Sequence, residues 1–128
     1  MRTILYVLMD PTGNLTCLVT AAVTEAERSQ VTAALLRKCE QVGYLEEPEK
    51  KGTVLRLRMM GNEFCGNATM AAAAWYCREK GIREEKELLL EVSGAEKPVP
   101  CRIRPLQDSW EGTVDMPPVR RIVSAESG

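Results

Sequence analysis

Histidine is missing from this chain of 128 residues. Its absence excludes Ser-His-Asp and Cys-His catalysis and every histidine-ligated metal centre. Any acid–base chemistry falls to carboxylates, lysines, tyrosines and thiols. An excess of positive charge is missing too. Seventeen Lys and Arg against eighteen Asp and Glu give a net charge of -1 with no basic stripe, which argues against nucleic acid as the main partner. No apolar run approaches the roughly 20 residues of a membrane-spanning helix. The N-terminus, MRTILYVLMDPTG, lacks a small-residue cleavage site and breaks at Asp10-Pro11, so it reads as a first strand and not a signal peptide. No C-x-x-C pair occurs. Five cysteines, Cys17, Cys39, Cys65, Cys77 and Cys101, are odd in number and irregular in spacing. That speaks against a disulfide framework or a zinc site and fits a reducing, cytoplasmic compartment.

What is present describes an ordinary globular chain. Apolar residues make up 45% and charged residues 27%, enough for one domain, residues 1–128, with a real core. TILYVLM (3–9) and LTCLVTAAV (15–23) flank the turn-rich DPTGN and predict a hairpin-like entry. Thr24 and Glu27 form a capping box that opens a helix. Val31, Ala34, Leu35, Cys39 and Val42 then recur at helical spacing up to Gly43, which reads as the stop of an amphipathic surface helix. EEPEKKG (46–52) is a charged, solvated loop. TVLRLRMM (53–60) alternates as a half-exposed strand. A second helix runs from about Ala68 to Lys80 and closes at Gly81. ELLLEVSG (87–94), PVPCRIRPLQ (98–107) and WEGTVDMP (110–117) complete a strand-rich second part. The order is ββαβαβββ with about six strands, an α+β pattern.

The second helix has no polar face before Arg78. Ala68 and Met70 to Cys77 are apolar on every side, so it is expected to be buried all round. Alanine keeps its radius small, and strands can wrap close about it. The implied architecture is a curved or barrel-like sheet around one central helix. At its N-terminus stands GNEFCGN.

That loop carries the chemistry. A helix N-terminus offers unpaired N–H groups and about half a positive charge, a ready cradle for a carboxylate or phosphate. Gly66 lets a ligand approach the backbone. Asn67 can cap the helix or bond a ligand, and Thr69 adds a hydroxyl in the first turn. Cys65 lies just before that turn, where the same N–H groups favour a thiolate. A thiolate beside the Cα of a bound amino acid can act as general base while the cradle stabilises charge on the carboxylate. The segment lacks the Gly-Lys-Ser/Thr ending of a phosphate-binding loop, so a nucleotide reading is weak. Bland readings stand beside these. Cys17, Cys39, Cys77 and Cys101 fit as space-filling thiols. Asn14 and Asn62 fit as ordinary Gly-Asn turn residues. Glu63 fits as a solvated carboxylate, and Trp75 and Tyr76 as core filling.

GNEFCGNATMAAA resembles the Cys-Gly-Asn signature of the diaminopimelate epimerase-like superfamily, amino-acid racemases and epimerases that need no pyridoxal phosphate. DPTGN resembles the family's early Gly-Asn segment, and GTVDMPPV the segment closing its first domain. The resemblance covers nearly the whole chain but only the N-terminal half of a family member. It implies a cofactor-free reaction with two cysteines, one from each of two similar domains. One removes the Cα proton and the other delivers a proton to the opposite face. Cys65 is then one of the pair, and Gly66 and Asn67 hold the substrate carboxylate. Asn14 and Asn62 are polar contacts to the substrate. The diaminopimelate enzymes continue with Gly, a small residue and Arg, whereas here stand Ala68, Thr69 and Met70, which points to another amino acid. CGNAT also leans towards the phenazine-biosynthesis isomerase branch, which uses an acidic residue, with Glu63 the nearby candidate. A non-catalytic carboxylate-binding module is the third reading. No second Gly-flanked cysteine occurs. The chain is thus expected to complete its site with a second racemase half, in the same polypeptide, a separate chain or a homodimer partner.

Overall fold

The computed structural model describes residues 4–11 and 13–115. Among the described residues, seven strands and two helices follow in the order β1 (Tyr6–Met9), β2 (Thr16–Val19), α1 (Glu25–Leu35), β3 (Gln41–Glu46), β4 (Leu55–Met59), α2 (Gly66–Lys80), β5 (Lys86–Val92), β6 (Val99–Pro105) and β7 (Trp110–Val114). The last two residues of the strand expected over 110–117, Met116 and Pro117, lie outside the described residues, as does the end of GTVDMPPV.

The α+β reading holds, with one correction. The helix opened by Thr24 ends at Leu35, not at Gly43, and 41–46 form a strand. The capping box itself is present in both directions. The glycine serves packing: a Cβ at Gly43 would meet Leu57 Cδ1 at 2.8 Å and Met59 Sδ at 3.2 Å. The observed order is therefore ββαββαβββ.

All seven strands form one sheet whose order in space equals their order in the chain. The pairs β2–β3 and β4–β5 are parallel and the rest antiparallel. Each parallel pair needs a crossover, which α1 and α2 supply. Because β3 and β4 run antiparallel, the two crossovers point in opposite directions along the sheet. The right-handed preference then puts their helices on opposite faces. Alternation along β2 shows this directly. Cys17 and Val19 pack with Leu35, Cys39, Val42 and Tyr44 under α1, while Leu18 packs with Leu57, Met59, Leu90, Ile103 and the alanines of α2. Arg28 fastens α1 to the sheet, with its guanidinium 4.3 Å from the Tyr44 ring centre and Nη2 2.8 Å from Glu46 Oε2.

The sheet curls about α2, which touches β2 on one side and β5, β6 and β7 on the other. Ala68 and Ala71 to Ala74 are buried in that contact. The curl stops short of closure, since β1 and β7 are the two edges among the described residues. Met70, Trp75 and Tyr76 are only half-buried, Trp75 and Tyr76 lining a depression beside Leu45 and Leu55, so the helix is not enclosed all round. A cleft of about 780 Å³ opens between Leu8 and Met9 of β1, Ala74 and Cys77 of α2, and Ile103 and Trp110 of β6 and β7.

The charged loop after β3 is tied down more firmly than its composition indicates. The nearly buried Glu91 carboxylate accepts the N–H of Glu49 and, at 3.1 Å, that of Lys50. Burial alone would raise its pKa. The two N–H groups, Arg56 and the Thr53 hydroxyl outweigh burial and hold it below its ordinary 4.5. A carboxyl depressed in the folded state stabilises fully above 4.5, and that stability is lost as pH falls through the folded value. Glu91→Gln is therefore expected to lower the urea midpoint at pH 7 and to flatten its decline below pH 4.5. Parallel acid limbs in the two proteins would refute this.

Candidate active site

Cys65 is the N-cap of α2. Its backbone is extended, and its sulfur accepts the Ala68 N–H at 3.4 Å. The helix starts at Gly66, two residues before its sequence-expected start, and Asn67 lies inside the first turn and is not the cap. The Thr69 hydroxyl bonds the Cys65 carbonyl at 2.8 Å, so it braces the cap. At the other end Gly81 takes the left-handed conformation (φ 70°) that terminates α2. The thiol thus sits at the positive end of a helix whose first-turn N–H groups face forward.

Two residues that sequence reasoning missed complete its surroundings. The Cys65 thiol donates to Gln41 Oε1 at 3.3 Å. Gln41 Nε2 donates to Thr16 Oγ1 at 2.8 Å, and the Thr16 hydroxyl donates to the Asn14 carbonyl at 2.9 Å. Thr16 and Gln41 face each other in the parallel register of β2 and β3, and both are buried. Reading 41–46 as a strand would have supplied the signal: Gln41 is the one polar residue that opens an otherwise apolar run, QVGYL.

The sequence-predicted residues are placed as follows. Cys65, Gly66 and Asn67 are contiguous at the helix mouth. Asn14, half-buried in the β1–β2 loop, joins them through its carbonyl. Asn62 is exposed in the turn after β4, at φ 62°, a left-handed conformation that asparagine tolerates. It lines a different, polar depression with Arg56, Arg58, Ser93 and Lys97. Glu63 is exposed, its carboxylate folded over Gly61. The 780 Å³ cleft lies near Cys77, about 18 Å along the helix from Cys65.

All five cysteines are free. Four are buried, and burial pushes Cys17 and Cys101 up to about 12, with Cys39 adding to the first and Cys77 to the second. Burial also raises Cys77. Cys65 alone is half-buried. Iodoacetamide at pH 8 is therefore expected to label Cys65 at least about tenfold faster than any other thiol. Peptide mass spectrometry reads the five sites separately, and uniform labelling would overturn the assignment.

A curled mixed sheet around an alanine-rich helix capped by a cysteine defines the diaminopimelate epimerase-like fold. The solved structure of a predicted epimerase from Pseudomonas aeruginosa shares it, with a TM-score of 0.62 at 22% identity, over 77% of this chain and 36% of that one. The chain belongs to the family described as the histidine racemase CntK N-terminal domain, whose family model it matches over residues 3–127. A histidine racemase of Staphylococcus aureus is 34% identical over 119 residues, which span 89% of this chain and 42% of that protein. One from Fusobacterium nucleatum is 27% identical over 105 residues, 77% of this chain and 37% of that protein. The chain thus spans about two-fifths of the length of these relatives. Among the described residues, no helix is long and apolar enough to cross a membrane.

Proposed function

We propose that this chain, a single domain, is the N-terminal half of a cofactor-independent amino-acid racemase or epimerase, with Cys65 as one of two acid–base groups at Cα. The observation that carries the reading is the thiol itself: a half-buried cysteine at a helix mouth, between the Ala68 N–H and the Gln41 amide. Gly66 and Asn67 present N–H groups to the substrate carboxylate, whose charge grows as Cα loses its proton. Asn14 and, from the preceding turn, Asn62 supply polar contacts. The second proton-transferring group comes from a second racemase half, in the same polypeptide, a separate chain or a dimer partner. The five free thiols support a reducing, cytoplasmic compartment. The relatives' name makes histidine the first substrate to test.

The experiment is Cα–H exchange of L- and D-histidine in D₂O, followed by proton NMR without added cofactor. The chain is assayed alone over a range of concentrations and again when completed by a C-terminal half. Exchange with inversion in the completed form supports the proposal. Its absence with histidine and with a panel of other amino acids rejects it.

A further inference from the structure

The three hydrogen bonds behind Cys65 share one direction. The Asn14 carbonyl can only accept, so the Thr16 hydroxyl spends its proton there. Thr16 Oγ1 is left as an acceptor, and the Gln41 amide must turn its NH₂ towards it. That fixes Gln41 Oε1 on the side of the sulfur, 3.3 Å away. A carbonyl oxygen there welcomes an S–H and repels a thiolate. From this geometry we infer that Gln41, oriented by Thr16, is a positioning residue that holds Cys65 as the thiol, the proton donor of the pair, in the resting protein.

The inference rests on the proposed racemase reading and gives it a direction. The second group, a thiolate from the other half, takes the Cα hydrogen as a proton and leaves its electron pair on the substrate. Cys65 S–H gives its proton to the opposite face and becomes the thiolate. The number of protons on the pair is unchanged, and the roles have exchanged. A new round in the same sense requires Cys65 to be protonated again, which the Gln41 oxygen favours. For Cys65 to rest as the base, the amide must turn over, and Thr16 must then give up Asn14.

Few other titratable groups compete at this point. From the connection between α1 and β3, Glu40 is committed to the Leu15 N–H at 3.1 Å. Cys39 is buried and donates to the carbonyls of Leu35 and Gln41. From the segment before α2, Glu63 lies over Gly61. From α2 itself, the Ala68 N–H pulls the other way and favours the thiolate, so the sulfur stands between a donor and an acceptor.

The test reads the thiol in this chain without substrate, so it fails or succeeds independently of any racemase assay. The rate of Cys65 alkylation by iodoacetamide is measured from pH 5 to 10 and resolved by mass spectrometry. Thr16→Val keeps the shape of the buried side chain and frees the amide to turn its NH₂ to the sulfur. Its profile should move to lower pH, and alkylation at pH 7 should rise about threefold to tenfold, the worth of one hydrogen bond. Thr16→Ser should restore the wild-type profile. Should Thr16→Val fail to fold, Gln41→Glu takes its place: a carboxylate beside the sulfur should move the profile to higher pH and slow alkylation at pH 7. A Thr16→Val profile that overlays the wild type, a serine variant that behaves like valine, or an unmoved Gln41→Glu profile overturns the inference.

Discussion

Changing Cys65 to serine in a form that exchanges Cα protons is expected to slow exchange by about 10² to 10⁴ and to leave the fold at least as stable. The two halves of this result have separate causes. As an N-cap, Cys65 accepts the Ala68 N–H through sulfur at 3.4 Å, a long and weak bond. Serine is among the preferred N-caps, and its smaller, harder oxygen makes the same bond better, a gain of up to about 1 kcal/mol. Serine can also donate to Gln41 as the thiol does. Structure alone therefore gives no preference for sulfur here. Chemistry does, because a hydroxyl does not ionise near neutral pH and a thiol can. Deuterium exchange and a urea melt on the same sample read both effects. A serine variant that exchanges at the wild-type rate removes Cys65 from the chemistry. One that is inactive because it has unfolded assigns the thiol to packing.

Gly94→Ala is expected to cost about 2 to 4 kcal/mol, from positive-φ strain and overpacking together, or about 8 to 16 °C in melting midpoint. Gly94 lies just after β5 at φ 81°, and a Cβ there would stand 2.3 Å from Phe64 N and 2.9 Å from Glu63 C. Both obstacles are backbone, which cannot swing aside as a side chain can. The approach is close because this turn clamps the segment that leads to the thiol. Ser93 Oγ donates to the Glu63 carbonyl at 2.7 Å and accepts the Met59 N–H at 2.9 Å. Forcing the turns apart should loosen Phe64 and Cys65 together, so the variant should also lose its selective Cys65 alkylation. Gly52 is the control. Its φ is 85°, yet nothing lies within 4 Å of its missing Cβ. Gly52→Ala should carry only the dihedral strain, about 1 kcal/mol. Equal losses at the two glycines would show that the close approach to Phe64 contributes nothing.

Local signals in the sequence located the helices and the thiol. Thr24 with Glu27 announces α1, and Gly81 ends α2 as its position suggests. The run Ala71 to Ala74 implies a narrow helix with strands close about it, and the curled sheet follows that reading. The strand β3 was not legible. Leu35, Cys39 and Val42 continue a helical spacing because all three enter one cluster under α1. A cluster does not record whether a helix or a strand delivered its members. Gly43 looked like a helix stop because the residues that demand it, Leu57 and Met59, belong to a strand still to come. The site divides along the same line. The Gly-Asn flanks and the helix mouth mark Cys65 locally. Gln41 and Thr16 converge on it only through the β2–β3 register, and no short window of sequence contains that register.

The agreement between strand order in space and strand order along the chain bears on how this domain is born. For every strand after β1, one partner has already been synthesised when that strand emerges, and no strand must wait for a distant one. Pairings between sequence neighbours keep the loops to be closed short, the circumstance in which folding is fastest. The sheet can grow during translation like a zipper drawn one tooth at a time. Its second tooth carries Thr16, its third Gln41, and the crossover after its fourth carries Cys65. The polar chain behind the thiol therefore draws on no residue of β5, β6 or β7, all of which follow Cys65 in the chain.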